Sequence, residues 1–587
     1  MLKRYFPILE WLPVYDRQTL SSDLIAALIV TLMVIPQALA YALLAGLPAI
    51  VGLYASILPL FAYAVFGTSR TLAIGPMALV SLMTGAALIE VAAPGSTVYL
   101  EAAITLAFLT GVILTLMGLF RLGFFANFLS HPVVSGLLSA SGVLIAASQL
   151  AGLAGLDASG FTLITQLSNL FSHLDGIHWP TLAIGLVSVT LLQLFRRSRP
   201  RLKSWGMNAR YADFLVKLGP LFVVALTTAI CWAANLPAFG VAVVGEVPSH
   251  LPPLGVPSSD LGVWRDLLVP ALLIGIVGFI ESVALAQMLA ARRRQRISPD
   301  QELIGLGVSN IASAVSSGLP VVGSLSRTVV NFDAGAQTPA AGAFAAIGVA
   351  FVTLYLTPLI RFLPIATLAA IIIVSALTLI DIKTLKRTWR YSYGDAAAML
   401  ATIALTLVQG VEAGVIAGVG LSVGLYLYRT SRPHSALVGR VPGTEHFRNI
   451  QRHQVESSER VALLRIDESL YFANARYLED TVYGLVAEHP EVDHMVLICS
   501  AVNLIDASAL ESLEAINLRL KDSQVTLHLA EVKGPVMDRL KHSDFLQHLT
   551  GQVFLSTYAA WSGLRHGHSP SSGSRDQGRT PAKKDAG

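Results

Sequence analysis

Gly75-Pro76-Met77-Ala78-Leu79-Val80-Ser81 opens one apolar run, and Gly323-Ser324-Leu325-Ser326-Arg327-Thr328 opens another. Both runs are too short, or too rich in Gly and Pro, to cross a bilayer of roughly 30 Å as a plain helix, which takes about 20 residues. They are the third and tenth of fourteen candidate spans, near 24–44, 48–66, 75–91, 100–119, 131–151, 179–196, 219–235, 267–290, 302–318, 325–334, 340–360, 363–380, 394–409 and 411–429. Each is therefore the third in a set of seven. Interrupted spans at corresponding positions of two halves point to an inverted-repeat carrier. The expected fold is a polytopic α-helical membrane protein of 14 transmembrane spans arranged as a 7+7 inverted repeat.

Composition agrees. The 587 residues are 54% hydrophobic and only 13% charged, with a mean hydropathy of +0.63, whereas soluble domains carry about 25% charged residues. Two cysteines, Cys231 and Cys499, lie far apart and form neither a disulfide framework nor a paired-cysteine metal motif. The N-terminus does not read as a cleavable signal, because Lys3 and Arg4 are followed by Pro7, Trp11 and Pro13.

The basic residues test the count of spans. Arg70, Arg121, the run Arg196, Arg197, Arg199, Arg201 and Lys203, the run Arg292, Arg293, Arg294 and Arg296, and then Lys383, Lys386, Arg387 and Arg390 all follow even-numbered spans. Loops after odd-numbered spans hold few, Arg265 and Arg361 among them. The positive-inside rule then places both termini in the cytoplasm, with localisation to the cell's inner membrane.

Beyond Tyr428 the text changes. Val461–Ile466, Met495–Cys499 and Val525–Leu529 read as strands, and Ala509–Lys521 as an amphipathic helix, which gives a soluble α/β domain with a mixed or parallel sheet. The expected organisation is a cytoplasmic N-terminus (1–20), a transport domain (21–430), a linker (431–460), the α/β domain (461–562) and a disordered tail (563–587).

A half-helix leaves unpaired N–H groups and a positive dipole end inside the membrane, so two such ends make an anion site. Gly75, Pro76, Met77 and Ala78 form one end; Ser324, Leu325, Ser326 and Arg327 form the other. The alternative is that these breaks are simple kinks. Arg327 within a span costs at least about 2.5–3.5 kcal/mol, so it serves an anion, pairs with a carboxylate, or snorkels to the interface. Glu281 in the eighth span is a candidate proton-coupling residue, or a structural carboxylate paired with Arg327 or another cation. Gln37 is the polar residue of the first span, in the corresponding position of the other half. His131 reads as a helix start, Glu412 as a solvated turn residue, and Asp381 as an interfacial carboxylate beside a basic loop. There is no phosphate-binding GxxxxGK[ST] loop and no HExxH or GxSxG motif, so the chain is not read as an enzyme or an ATP-driven pump. No cofactor, catalytic metal or nucleic-acid partner is expected.

Pro36-Gln37-Ala38-Leu39-Ala40-Tyr41-Ala42, Gly52-Leu53-Tyr54 and Gly67-Thr68-Ser69-Arg70, with the two broken spans and Ala334-Gly335-Ala336-Gln337-Thr338, resemble the sulfate permease family, the solute carrier family 26 anion transporters. The resemblance runs from about Trp11 to His548. It implies uracil-carrier-like core and gate domains that alternate access, the core built from spans one to four and eight to eleven. It also implies a homodimer in a lipid bilayer. Its substrate site would comprise Gln37, Tyr41, Gly75, Pro76, Met77, Ala78, Ser324, Ser326 and Arg327, with Glu281 as the proton site. The implied activity is sulfate transport with a co-transported proton, or with sodium; the alternatives are bicarbonate, a C4-dicarboxylate, or anion exchange. The C-terminal region is similar to a STAS domain, with the loop Val502–Leu510. In soluble relatives a phosphorylated Ser follows the loop aspartate; here Ala507 follows Asp506, and Ser508 is left either as a phosphosite or as a helix N-cap. A nucleobase carrier of the same architecture, or a signalling protein merely anchored by its spans, are the competing readings.

Overall fold

The computed structural model describes residues 5–565 apart from 128–129, 157–159, 161, 205–214, 217 and 247. The chain divides into two compact units, 1–422 and 423–587.

Each of the fourteen runs contains a helix, the last of them crossing from the first unit into the second. In chain order these are α1 (Arg17–Leu44), α2 (Ala49–Tyr54) with α3 (Leu58–Phe66), α4 (Ala78–Ile89) preceded by the two-residue strand β1 (Ile74–Gly75), and α5 (Thr97–Leu119). Then follow α6 (His131–Ala154), a short α7 (Leu163–Ser172), α8 (Trp179–Ser204) and α9 (Gly219–Ala233). The second half runs through α10 (Leu261–Arg292), α11 (Pro299–Val315), the strand β2 (Val322–Gly323), α12 (Leu325–Asp333), α13 (Ala340–Tyr355), α14 (Ile365–Ala376), α15 (Ile382–Tyr391), α16 (Tyr393–Gln409) and α17 (Val411–Ser431). Eight helices of the described residues are long and apolar enough to cross a membrane.

The helices sort into two packed groups. Helices α1, α3, α4, α5, α10, α11, α12 and α13 pack mainly on one another, as do α6, α8, α14 and α16. Two buried carboxylates pin the first group. Asp23 of α1 accepts from the backbone N–H groups of Gln337 (2.6 Å) and Thr338 (3.2 Å) and from the hydroxyl of Thr338 (2.5 Å). Glu302 of α11 accepts from Tyr63 Oη (2.8 Å), Thr68 N (2.8 Å), Ser69 N (3.0 Å) and the Thr68 hydroxyl. A buried carboxylate is tolerated where its oxygens are saturated in this way.

Helices α7 and α15 lie outside the fourteen expected spans. The expected basic loop after the twelfth span is the helix α15, and Asp381 is its N-cap rather than a bystander, accepting from Thr384 N at 3.0 Å and Thr384 Oγ1 at 2.6 Å. Glu412 is half-buried in the first turn of α17, with Oε1 unpartnered, rather than solvated in a turn.

In the second unit, a six-stranded sheet has the order β4-β3-β5-β6-β7-β8. Its strands are β3 (Ser435–Arg440), β4 (Phe447–Asn449), β5 (Val461–Ile466), β6 (His494–Ile498), β7 (Thr526–Ala530) and β8 (Val553–Phe554). From β5 onward the pairing is parallel, and β3 is antiparallel to both neighbours. The stretch 431–460, expected as a linker, therefore supplies two strands. Strand β3 pairs with β5 and so covers one edge of the parallel sheet. Helices α18 (Ala475–Glu488) and α19 (Ala507–Asp522) pack on one face with Leu478, Val482, Leu513 and Ile516 in the core. The helix α20 (Thr557–Arg565) carries Trp561 into a second cluster with Val461 and Ile498, so the chain is still helical at 563–565. The rest of the expected tail, 566–587, lies outside the described residues, as do residues 1–4.

Candidate functional site

The two broken spans meet. Strand β1 pairs antiparallel with β2, Ile74 opposite Gly323 and Gly75 opposite Val322. Non-helical backbone inside a membrane protein needs partners for each polar group, and the neighbours supply them. Ser324 N donates to Ala73 O (3.1 Å), Ala73 N to Thr328 Oγ1 (3.0 Å) and Gly323 N to Ser282 Oγ of α10 (2.9 Å). Asn310 of α11 brackets Val321 through both its amide oxygen and its amide nitrogen, at 2.8 Å each.

From this crossing the half-helices α4 and α12 start, with Met77 and Ser324 as their N-caps. Neither has a side-chain cap. Their first-turn N–H groups are left for a ligand, and their dipoles favour an anion.

Both ends open on one cavity of about 330 Å³. Tyr41 of α1, Met77 and Ala78 of the first end, Glu281 of α10, and Ser324, Leu325, Ser326 and Val329 of the second end line one wall. Arg196 of α8, with Ser375, Ala376, Thr378 and Leu379 at and beyond the end of α14, line the other. The two walls belong to the two helix groups. Glu281 is 7% exposed and its Oε2 has no hydrogen-bond partner, the opposite of the saturated Glu302.

Residues 20–402 match the sulfate permease family, and 452–560 the STAS domain. The chain is 35% identical over 540 residues to the chloroplastic sulfate transporter 4.1 of Arabidopsis thaliana, covering 89% of this chain and 77% of that one. The chain belongs to the sulfate permease family. Its fold is that of the solved SLC26A9 structure, with a TM-score of 0.86 at 23% identity over 95% of this chain and 92% of that one. The transmembrane domain of the cyanobacterial bicarbonate transporter BicA aligns with a TM-score of 0.58 at 25% identity, covering 69% of this chain and 99% of that one. The chain is a multi-pass membrane anion transporter of this family with a C-terminal STAS domain.

Of the residues singled out in the permease sequence, Tyr41, Met77, Ala78, Ser324, Ser326 and Glu281 face the cavity. Gln37, Gly75, Pro76 and Arg327 do not line it. Gln37 is buried on α1 with Oε1 unpartnered. Arg327 is fully buried; its Nη2 donates to Pro76 O at 2.8 Å, while Nε and Nη1 have no partner. No ion pair joins it to Glu281 among the described residues, so the pairing of these two falls away. Gly75 has φ +151°, and a Cβ there would lie 2.8 Å from Arg327 Nη1. Only glycine lets the guanidinium come so close.

Sequence reasoning missed the second wall. Arg196 was counted with the cytoplasmic basic run, yet the buried positions Thr181, Gly185, Ser188 and Leu192 recur at helical spacing, and Arg196 continues that stripe. This period was the available signal.

In the permease's STAS domain the N-cap of α19 is Asp506, not Ser508. Asp506 has the extended backbone a cap requires, and its Oδ1 accepts from Ala509 N at 2.9 Å. Its Oδ2 accepts from Phe472 N at 2.9 Å. Ser508 sits exposed in the first turn of the helix.

Proposed function

We propose that this permease carries sulfate together with a proton by alternating access, working as a homodimer in the inner membrane with both termini in the cytoplasm. One observation carries the reading: two uncapped helix ends and an unpartnered buried carboxylate share one cavity. The helix ends bind the anion through their N–H groups. Protonated Glu281 adds a donor and removes a charge that would repel the anion. The cavity lies between two helix groups, as rocking of one against the other requires. The similarity to sulfate transporter 4.1 supports sulfate, and the placement of Lys and Arg supports the orientation. Asp506 and Ser508 stay candidates for a regulatory surface.

The test is reconstitution into liposomes with labelled sulfate. Uptake should rise when the outside is made acidic and collapse with a protonophore. Uptake indifferent to the proton gradient, or displaced better by bicarbonate or a dicarboxylate than by unlabelled sulfate, would overturn the assignment. The second outcome would favour the bicarbonate reading that the likeness to the BicA transmembrane domain keeps in view.

A further inference from the structure

We infer that Arg196 is the substrate contact on the second wall of the cavity and favours doubly charged over singly charged anions. The inference rests on the anion-carrier reading above and adds to it a residue from the helix group that holds neither half-helix.

Among the described residues lining the cavity, Arg196 is the one full cation and Glu281 the one carboxylate. Arg327 contributes from behind: it is fully buried, and one of its nitrogens is committed to Pro76 O. Tyr41 is the remaining titratable group on the lining. An anion entering the cavity therefore meets a guanidinium only from α8.

Arg196 is held for this contact without being used up. Its Nη1 donates to Val374 O at 2.8 Å, near the end of α14. That bond fixes the side chain across the end of the helix that also supplies Ser375. A guanidinium has five N–H donors in a planar fork, and among the described residues Arg196 makes this one hydrogen bond. The residue is exposed, so its remaining donors are in reach of a hydrated ligand. Ser375 beside it offers a hydroxyl, while the Thr378 hydroxyl is already donated to Ser375 O at 2.5 Å. A tetrahedral oxyanion spanning the cavity would take N–H groups and serine hydroxyls from one wall, and Arg196 from the other. The substrate would then link the two groups whose relative motion transports it.

The charge consequence follows from Coulomb's law. At a fixed site the interaction with Arg196 doubles when the anion carries two charges instead of one. Loss of Arg196 should therefore weaken sulfate as the square of its effect on bicarbonate.

The competing account is that Arg196 only caps the carbonyls at the end of α14, a common use of arginine. The experiment separates the two. Full-length wild type, Arg196→Gln, Arg196→Lys and the neighbouring Arg197→Gln are reconstituted, and initial sulfate uptake is measured against concentration, with bicarbonate as competitor. Sulfate binding to the purified proteins is read in parallel from the melting temperature at rising sulfate. Expected for Arg196→Gln is a KM for sulfate about tenfold higher and a bicarbonate inhibition constant about threefold higher, with kcat little changed. Arg196→Lys should recover most of the affinity, and Arg197→Gln should match wild type. A fall in kcat with KM unchanged, or equal losses for the two anions, would assign Arg196 to helix capping and overturn the inference. Wild type that neither transports sulfate nor is stabilised by it would sink the carrier reading as well. Wild type and Arg196→Gln stabilised equally by sulfate would sink this inference alone.

Discussion

The Arg327 guanidinium donates to the Pro76 carbonyl at 2.8 Å, so the residue at the start of one half-helix locks the backbone leading into the other. The two anion-binding ends are thereby held in register by a side chain that does not itself line their cavity. Hydrogen bonds to charged groups contribute about 1.5–3 kcal/mol. Arg327→Ala should loosen the crossing and remove positive potential behind it, weakening sulfate binding by at least tenfold. Titration of purified protein with sulfate reads this directly. Unchanged affinity would show that the register does not depend on Arg327.

Gly75 tests the same lock from the other side. Its φ of +151° strains any other residue, and an added Cβ would press on Arg327 Nη1 at 2.8 Å. The guanidinium is the far end of a flexible side chain, so Gly75→Ala should fold and reach the membrane while losing most sulfate uptake. Retained uptake together with normal surface expression would contradict the arrangement.

Two buried glutamates should part company on mutation. Glu281 leaves Oε2 unpartnered beside the cavity, whereas Glu302 accepts from Tyr63, Thr68 and Ser69. Glu281→Gln should preserve the melting temperature and abolish the stimulation of uptake by external acid. Glu302→Ala should cost about 3–5 kcal/mol, because it strands two backbone donors and a tyrosine hydroxyl. Its signature is a lower melting temperature and yield, with any surviving protein still acid-stimulated. The reverse pattern would exchange their assignments.

How far the chain could be read depended on the range of the cause. The broken third and tenth spans are local facts of Gly75-Pro76 and Gly323-Ser324, and the half-helices start at Ala78 and Leu325. Strand β5 is Val461–Ile466, as its apolar run, interrupted only by Arg465, predicts. Strand β4 escaped notice because it is only three residues long, and β3 because it is fixed by pairing with residues far along the chain, Ser435 with Ile466. Helix α15 was hidden by its own basic residues, Lys383, Lys386, Arg387 and Arg390, which read equally well as a loop. Arg327 was legible as a buried charge near the site, but not its attachment to Pro76, which lies 251 positions away. Arg196 was visible only as a topological marker, because the second wall is assembled from helices distant in sequence.

The STAS sheet carries a pH dependence of its own. His528 on β7 and His494 on β6 face each other, Nε2 to Nδ1 at 3.2 Å. Gln552 N donates to His528 Nδ1 at 3.2 Å. His528 therefore keeps its proton on Nε2 and donates it to His494, and both rings are neutral. Burial, and then the neighbouring His494, push His528 from the ordinary 6.5 down to about 4. The unfolded chain takes up a proton below pH 6.5 that the folded domain refuses until about pH 4. The pair's contribution to stability is thus intact above pH 6.5 and lost progressively as pH falls to 4. Melts of the STAS part, residues 431 onward, should show a lower Tm at pH 4.5 than at pH 7.5, by roughly 5–10 °C beyond what His528→Phe shows. Carboxylates titrate in both proteins and cancel in that difference. Parallel curves for the two would mean that the histidine pair does not set the acid sensitivity of this domain.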